Sequence, residues 1–170
     1  DTPMMKLLTT SNDGGRTWSQ PKPLCYDDGS IVPSVASFGM LITSIKNKRI
    51  YYISNILPEL LYWKKQYSEE TAKDMGLFNN PPMGLSDPRS SLFIAEFDTN
   101  NFCIKKQSVT LIDKKWPGEP PYIRLSNFGC YQDRQTGNIV LHMTRDPGNA
   151  GWKPNDGISR DTFRYDIQVI

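Results

Sequence analysis

Short runs of β-branched and aromatic residues, repeatedly cut by turn formers, limit most severely what this chain can fold into. "MMKLLTT", "SIVPSVASF", "GMLITSI", "RIYYISN", "SSLFIAEF", "CIKKQSVTLI", "YIRLSNFGCY", "NIVLHMT" and "FRYDIQVI" follow one another along the sequence. Between them stand "NDGG", "DDGS", "DTNN" and "RQTGN", all with the Asn, Asp and Gly chemistry of tight turns. Strands this short and this evenly spaced predict an all-β fold, either a sandwich or a propeller.

One segment departs from the pattern. "ILPELLYWKKQYSEETAKDMG", Ile56 to Gly76, is rich in helix formers, with Pro58 suited to a first turn and Gly76 to a stop. The sequence predicts a helical and loop insertion over 56–88, returning through "FNNPPMGLSDP", either as a surface excursion or as a rim over a binding face.

With 170 residues the chain has the length of one ordinary domain. Its net charge is +2 and its Lys and Arg residues are scattered, so the basic stripe of a nucleic-acid-binding protein is missing and no nucleic-acid partner is expected. The apolar runs fall far short of the roughly 18 residues of a membrane span, and no signal-peptide pattern opens the sequence. Cys25, Cys103 and Cys130 form no Cys-x-x-Cys pair. They are expected to be structural thiols, two of them in strands, with neither a disulfide framework nor a metal site. No cofactor motif and no phosphate loop is present.

"SNDGGRTWSQP", Ser11 to Pro21, is the most specific stretch. It follows a strand, so it is expected to turn the chain back. Asp13 would accept backbone N–H groups in the turn, Gly14 and Gly15 would take positive φ, and Trp18 would pack on neighbouring structure. Its Ser11-x-Asp13-x-Gly15-x-Thr17-Trp18 spacing resembles the Asp-box, or bacterial neuraminidase repeat, of sialidases and other β-propellers. "EFDTNNF", Glu96 to Phe102, is similar to a degenerate second copy with Asp98 in the turn.

The resemblance implies that 1–170 is the C-terminal part of a sialidase-like, six-bladed β-propeller domain. Without the insertion, roughly 140 residues would supply about two and a half to three blades of ~40–50 residues. "RSSLFIAEFD" is similar to the strand on which sialidases carry an arginine of their carboxylate-binding triad, which implies a substrate-binding role for Arg89. "SNFGCYQDRQTGNIVLHMTR" is similar to the block that carries their tyrosine nucleophile, but Phe128 stands at the matching position and has no hydroxyl. Tyr131 is the alternative; it is expected on the opposite strand face unless a bulge at Gly129 re-aims it. Lys6 falls near the place of a second triad arginine.

On this resemblance the complete propeller would be a glycoside hydrolase that recognises an anionic sugar. Its partners would be a carbohydrate or glycoconjugate and the remaining blades, in a secreted or periplasmic setting. The alternatives are a non-catalytic carbohydrate-binding propeller that has lost its nucleophile, and a protein-interaction propeller of the sortilin-receptor kind. His142, Tyr122 and Trp152 are minor candidates, and Asp27, Asp28 and the Asp156–Gly157 stretch read as turns.

Overall fold

The structure, a computed structural model, describes residues 5–56, 89–117, 119, 123–146 and 161–170. The strands are β1 (Leu7–Leu8), β2 (Lys22–Pro23), β3 (Ser34–Thr43), β4 (Ile50–Ile56), β5 (Ser91–Asp98), β6 (Cys103–Ile104), β7 (Thr110–Lys114), β8 (Gly129–Gln132), β9 (Ile139–Thr144) and β10 (Thr162–Ile167). A single 3-10 turn, Lys106–Ser108, is the helical element among the described residues.

Three antiparallel sheets result: the ribbon β1-β2, a five-stranded sheet and the meander β8-β9-β10. In the five-stranded sheet β3, β4 and β5 lie side by side, and β5 pairs on its far edge with both β6 and β7. Those two short strands flank the 3-10 turn, so they work as one edge strand with an interruption. A bulge shifts the register between Leu92 and Phe93, where β5 meets Asp113 and then Leu111.

The central strands β4 and β5 of the five-stranded sheet are buried on both faces, and alternation sorts their side chains between two cores. Tyr51, Ile53, Leu92 and Ile94 face a cluster completed by Ile123, Leu125, Phe128, Ile139, Leu141, Met143 and Val169 around the three-stranded sheet. Tyr52, Ile56, Ala95 and Phe97 face the other way, onto Leu24, Tyr26, Val32 and Ile104. Hence β4 is buried at nearly every position, which an amphipathic two-sided strand would not be. Gly39 belongs to this packing, because a β-carbon there would stand 2.8 Å from the Tyr52 hydroxyl.

This architecture corrects the propeller expectation. The described strands form sheets of two, five and three strands, and no ring of equal blades closes among them. Turn chemistry and alternation specify neighbouring antiparallel hairpins, which these sheets share with propellers, and carry no information on closure. The helical insertion expected over 56–88 fares differently at its two ends: Ile56 is the last residue of β4, and 57–88 lie outside the described residues.

One polar cluster joins the two larger sheets. Arg145, just after β9, is 2% exposed. It forks onto Glu119 through Nε (2.7 Å) and a terminal nitrogen (2.6 Å), pairs with Asp113 of β7, and donates to the Lys114 carbonyl at 3.0 Å. Its guanidinium lies 3.7 Å from the centre of the Trp116 ring, which meets Phe163 edge-on. Tyr165 of β10 donates its hydroxyl to Asp113 at 2.5 Å, and burial pushes that phenol up to about 12.

Replacing Arg145 by Met would leave Asp113 and Glu119 facing a dry interface without their cation, at a cost of about 3–5 kcal/mol in denaturant unfolding. The hydrogen bonds from Arg145 hold the Glu119 carboxyl below its ordinary range. Its contribution is therefore present above the unfolded carboxyl pKa and is lost as pH falls through the folded value. The gap between wild type and Arg145→Met should narrow in acid. A gap that is constant from neutral to acid pH would refute this account of the cluster.

Candidate functional site

The turn from Ser11 to Trp18 is self-contained. Asp13 Oδ1 accepts the backbone N–H of Arg16 (3.0 Å) and of Thr17 (2.9 Å), and Oδ2 accepts the Thr17 hydroxyl at 2.7 Å. Ser11 Oγ donates to Asp13 at 2.8 Å and accepts from Gly15 N at 2.8 Å. Gly14 and Gly15 have φ of 71° and 89°, the left-handed region that glycine tolerates. Trp18 donates its indole N–H to the Gly15 carbonyl at 3.1 Å and lies over that glycine, yet remains 63% exposed. It packs on its own turn and not, as expected, on neighbouring structure. Every side-chain role here closes the turn.

Asp98 repeats the device more simply, accepting from Asn100 N (2.8 Å) and Asn101 Nδ2 (2.9 Å) in the turn from β5 to β6. Asp27 and Asp28 serve a turn as well: Asp27 accepts from Lys106 N at 3.1 Å, and Asp28 pairs with Lys106 Nζ at 2.5 Å.

Arg89 lies in the turn that leads into β5. Its carbonyl accepts Leu125 N at 2.8 Å and Asn55 Nδ2 at 3.3 Å. The same amide nitrogen reaches Ser91 O (2.7 Å) and Leu125 O (3.0 Å). Fully buried Asn55 thus ties the end of β4 to the start of β5 and to the segment before β8. With its nitrogen committed to carbonyls, its Oδ1 points elsewhere and has no hydrogen-bond partner among the described residues, and neither has Ser126 Oγ.

Lys6, just ahead of β1, reaches the same neighbourhood. In β3 the register slips between Ser34 and Gly39, freeing carbonyls from the ladder with β4. Lys6 Nζ donates to the Ser37 carbonyl, and Ser54 Oγ donates to the Phe38 carbonyl at 3.3 Å. Burial lowers the Lys6 pKa, and the charge of Arg89 lowers it further. Two cations are therefore held within mutual electrostatic reach at a half-buried place. Phe38 meets Phe128 edge-on, with ring centres 5.2 Å apart at 66°.

The other candidates are placed as follows. Phe128 is 4% exposed and belongs to the core between the two larger sheets. Tyr131 is 49% exposed and stacks on His142 at 5.9 Å on the other face of the three-stranded sheet. Arg89 and Tyr131 are thus carried by different sheets. Tyr122, Trp152, Asp156 and Gly157 lie outside the described residues. Among the described residues no group of three or more His, Cys, Asp or Glu is placed to hold a metal, and no helix is long and apolar enough to cross a membrane.

Compared with protein-family models, curated proteins and solved structures, the chain matches none. The sialidase resemblance therefore rests on local motifs, and the geometry accounts for those as turn and core chemistry. Membership of the Asp-box propeller family, glycosidic hydrolysis, a carbohydrate or glycoconjugate partner and completion by further blades are all set aside with it. Residue type and local pattern do not single out Asn55 or Arg145. An Asn inside the apolar run "IYYISN" was the available signal for the first, since Asn is depleted in strands. Arg145 follows a strand like many surface arginines, so only its surroundings distinguish it.

The closed turn makes a titration prediction. The backbone N–H of Thr17, with its hydroxyl and that of Ser11, holds the Asp13 carboxyl down at about 2. Carboxyl-detected NMR should give a midpoint there, so the turn's contribution persists above the ordinary aspartate pKa and fades only as pH falls towards 2. A midpoint in the usual aspartate range would mean that these bonds are not made in solution.

Proposed function

We propose that the chain binds a small oxyanion-bearing ligand, carboxylate or phosphate, between Lys6 and Arg89. The observation that carries this reading is the pairing of two like charges at a half-buried place, where the backbone of β3, Asn55 and Leu125 positions both residues. Like charges held close together repel, and an anion seated between them offsets that repulsion. Arginine's planar fork suits an oxyanion through two parallel charge-assisted hydrogen bonds, and lysine adds a compact point charge.

The pH dependence follows from the same pair. Lys6 is charged only below its lowered pKa, so oxyanion binding is favoured on the acidic side of that value. It weakens as pH rises through a value lower than that of an ordinary lysine. A bound anion favours the charged lysine and moves that value back up.

The test compares thermal unfolding in sodium phosphate and sodium acetate with sodium chloride at matched ionic strength. A ligand that binds only the folded state raises its stability by mass action. Phosphate or acetate should stabilise the wild type beyond the chloride control, and Arg89→Gln and Lys6→Met should each weaken the apparent affinity about tenfold, roughly 1.4 kcal/mol. An equal response in wild type and both variants would overturn the assignment.

A further inference from the structure

Cys25 and Cys103 lie far apart in sequence, but the backbone brings them side by side. Ile104 donates its N–H to the Cys25 carbonyl at 2.9 Å, and Asp27 donates to the Ile104 carbonyl at 2.9 Å. Those two bonds make Tyr26 and Ile104 a parallel bridge. In a parallel register the preceding residues, Cys25 and Cys103, are also opposite each other, and their side chains leave the pair on one common face. Tyr26 and Ile104 share the apolar cluster behind the five-stranded sheet, so the two cysteines turn away from it together.

We infer that Cys25 and Cys103 are a disulfide-forming pair that locks the Cys25–Ser30 turn onto β6. Strand neighbours lie about 4.8 Å apart, within the roughly 4.4–6.8 Å between α-carbons that a disulfide requires. Both thiols are free in this structure. The turn is already held against β6 without the bond. Lys106 donates its N–H to Asp27, pairs with Asp28 through Nζ, and sets that ammonium 5.3 Å from the centre of the Tyr26 ring. Bond formation therefore needs little rearrangement of the backbone.

The two sulfurs are also electrostatically coupled. Burial raises the Cys103 thiol first, the charges of Asp98 and Asp27 raise it further, and Cys25 adds to the effect. Cys103 is 8% exposed, whereas Cys25 is half-buried. Cys25 is thus the sulfur that an external reagent reaches. Cys130 stands apart, with its thiol against Met40 Sδ at 2.9 Å and pushed up to about 11 by burial.

The oxidant is a small-molecule disulfide. The Cys25 thiolate attacks one of its sulfurs, forming a mixed disulfide and expelling the first thiolate. The Cys103 thiolate then attacks the Cys25 sulfur, forming the protein S–S bond and expelling the second. Both cysteines are oxidised, the reagent's disulfide is reduced to two thiols, and the protons lost by the cysteines pass through solvent to those thiolates. The bond closes a long loop, constrains the unfolded chain and stabilises the fold.

The experiment equilibrates the full chain with oxidised glutathione, alkylates the remaining thiols without denaturing reduction, and maps the peptides by mass spectrometry. Alkylatable thiols should fall from three to one, Cys130, and a Cys25–Cys103 peptide should appear that reductant abolishes. Cys130→Ser should form the same link. The thermal midpoint should rise on oxidation in wild type and in Cys130→Ser, and Cys103→Ser should instead retain glutathione on Cys25. Stable glutathione adducts on the wild type, three unreacted thiols under full oxidation, or a link that includes Cys130 would each overturn the inference.

Discussion

The fold depends on how its two larger sheets are fixed against each other, and the guanidinium of Arg145 is the directional part of that contact. The apolar cluster from Tyr51 to Val169 supplies most of the driving force, but apolar packing alone tolerates rotation and slip. Arg145 removes that tolerance. Its fork fits one arrangement of Glu119, its other nitrogens require Asp113 and the Lys114 carbonyl, and its flat face requires Trp116. Each partner belongs to β7 or to the loop after it, while Arg145 directly follows β9 and Tyr165 lies in β10. A buried ion pair contributes little net stability against an apolar replacement, so its value here lies in register.

Asn55 has a matching role at the same end of the contact, where Ser91 pairs with Lys114 and Arg124 with Asp146. Strand ends leave carbonyls outside the ladder, and burial makes each of them costly unless a donor is found. One amide nitrogen serves Arg89, Ser91 and Leu125, so the end of β4, the start of β5 and the approach to β8 converge on a single side chain. The placement of Arg89 follows from this convergence. Its backbone is held by the fold, so its side chain starts from a fixed origin.

Local structure was legible in the sequence and its assembly was not. The run "IYYISN" and the run "SSLFIAEF" became β4 and β5, and the turns at Asp13, Asp98 and Asp133 close through their own carboxylates, as Asn, Asp and Gly chemistry dictates. These are interactions over two to four residues, which a sequence displays directly. The propeller expectation went further than such evidence reaches, since the box at Ser11 to Trp18 satisfies itself and reports nothing beyond its own turn. The pairing of β5 with both β6 and β7, and the parallel approach of Tyr26 to Ile104, join residues with no local signature. The thiols of Cys25 and Cys103 illustrate the same limit: their spacing in sequence argues against a pair, and their register argues for one.

Arg145 and Arg89 show why the candidate site was only partly legible. Both adjoin strands, and both are followed within two residues by a polar or acidic neighbour, so residue type and local context do not separate them. What separates them is the surroundings that the fold gives each side chain. Arg145 meets two carboxylates and a tyrosine hydroxyl already committed to one of them, so its surroundings are saturated with acceptors. Arg89 stands close enough to Lys6 to lower its pKa, and the acceptor that Lys6 reaches is the neutral carbonyl of Ser37. A cation forked onto carboxylates is part of the framework, whereas Arg89 shares its half-buried place with a second cation, Lys6. Such surroundings are a property of strands and a bulge meeting in space, and no single one of them contains it.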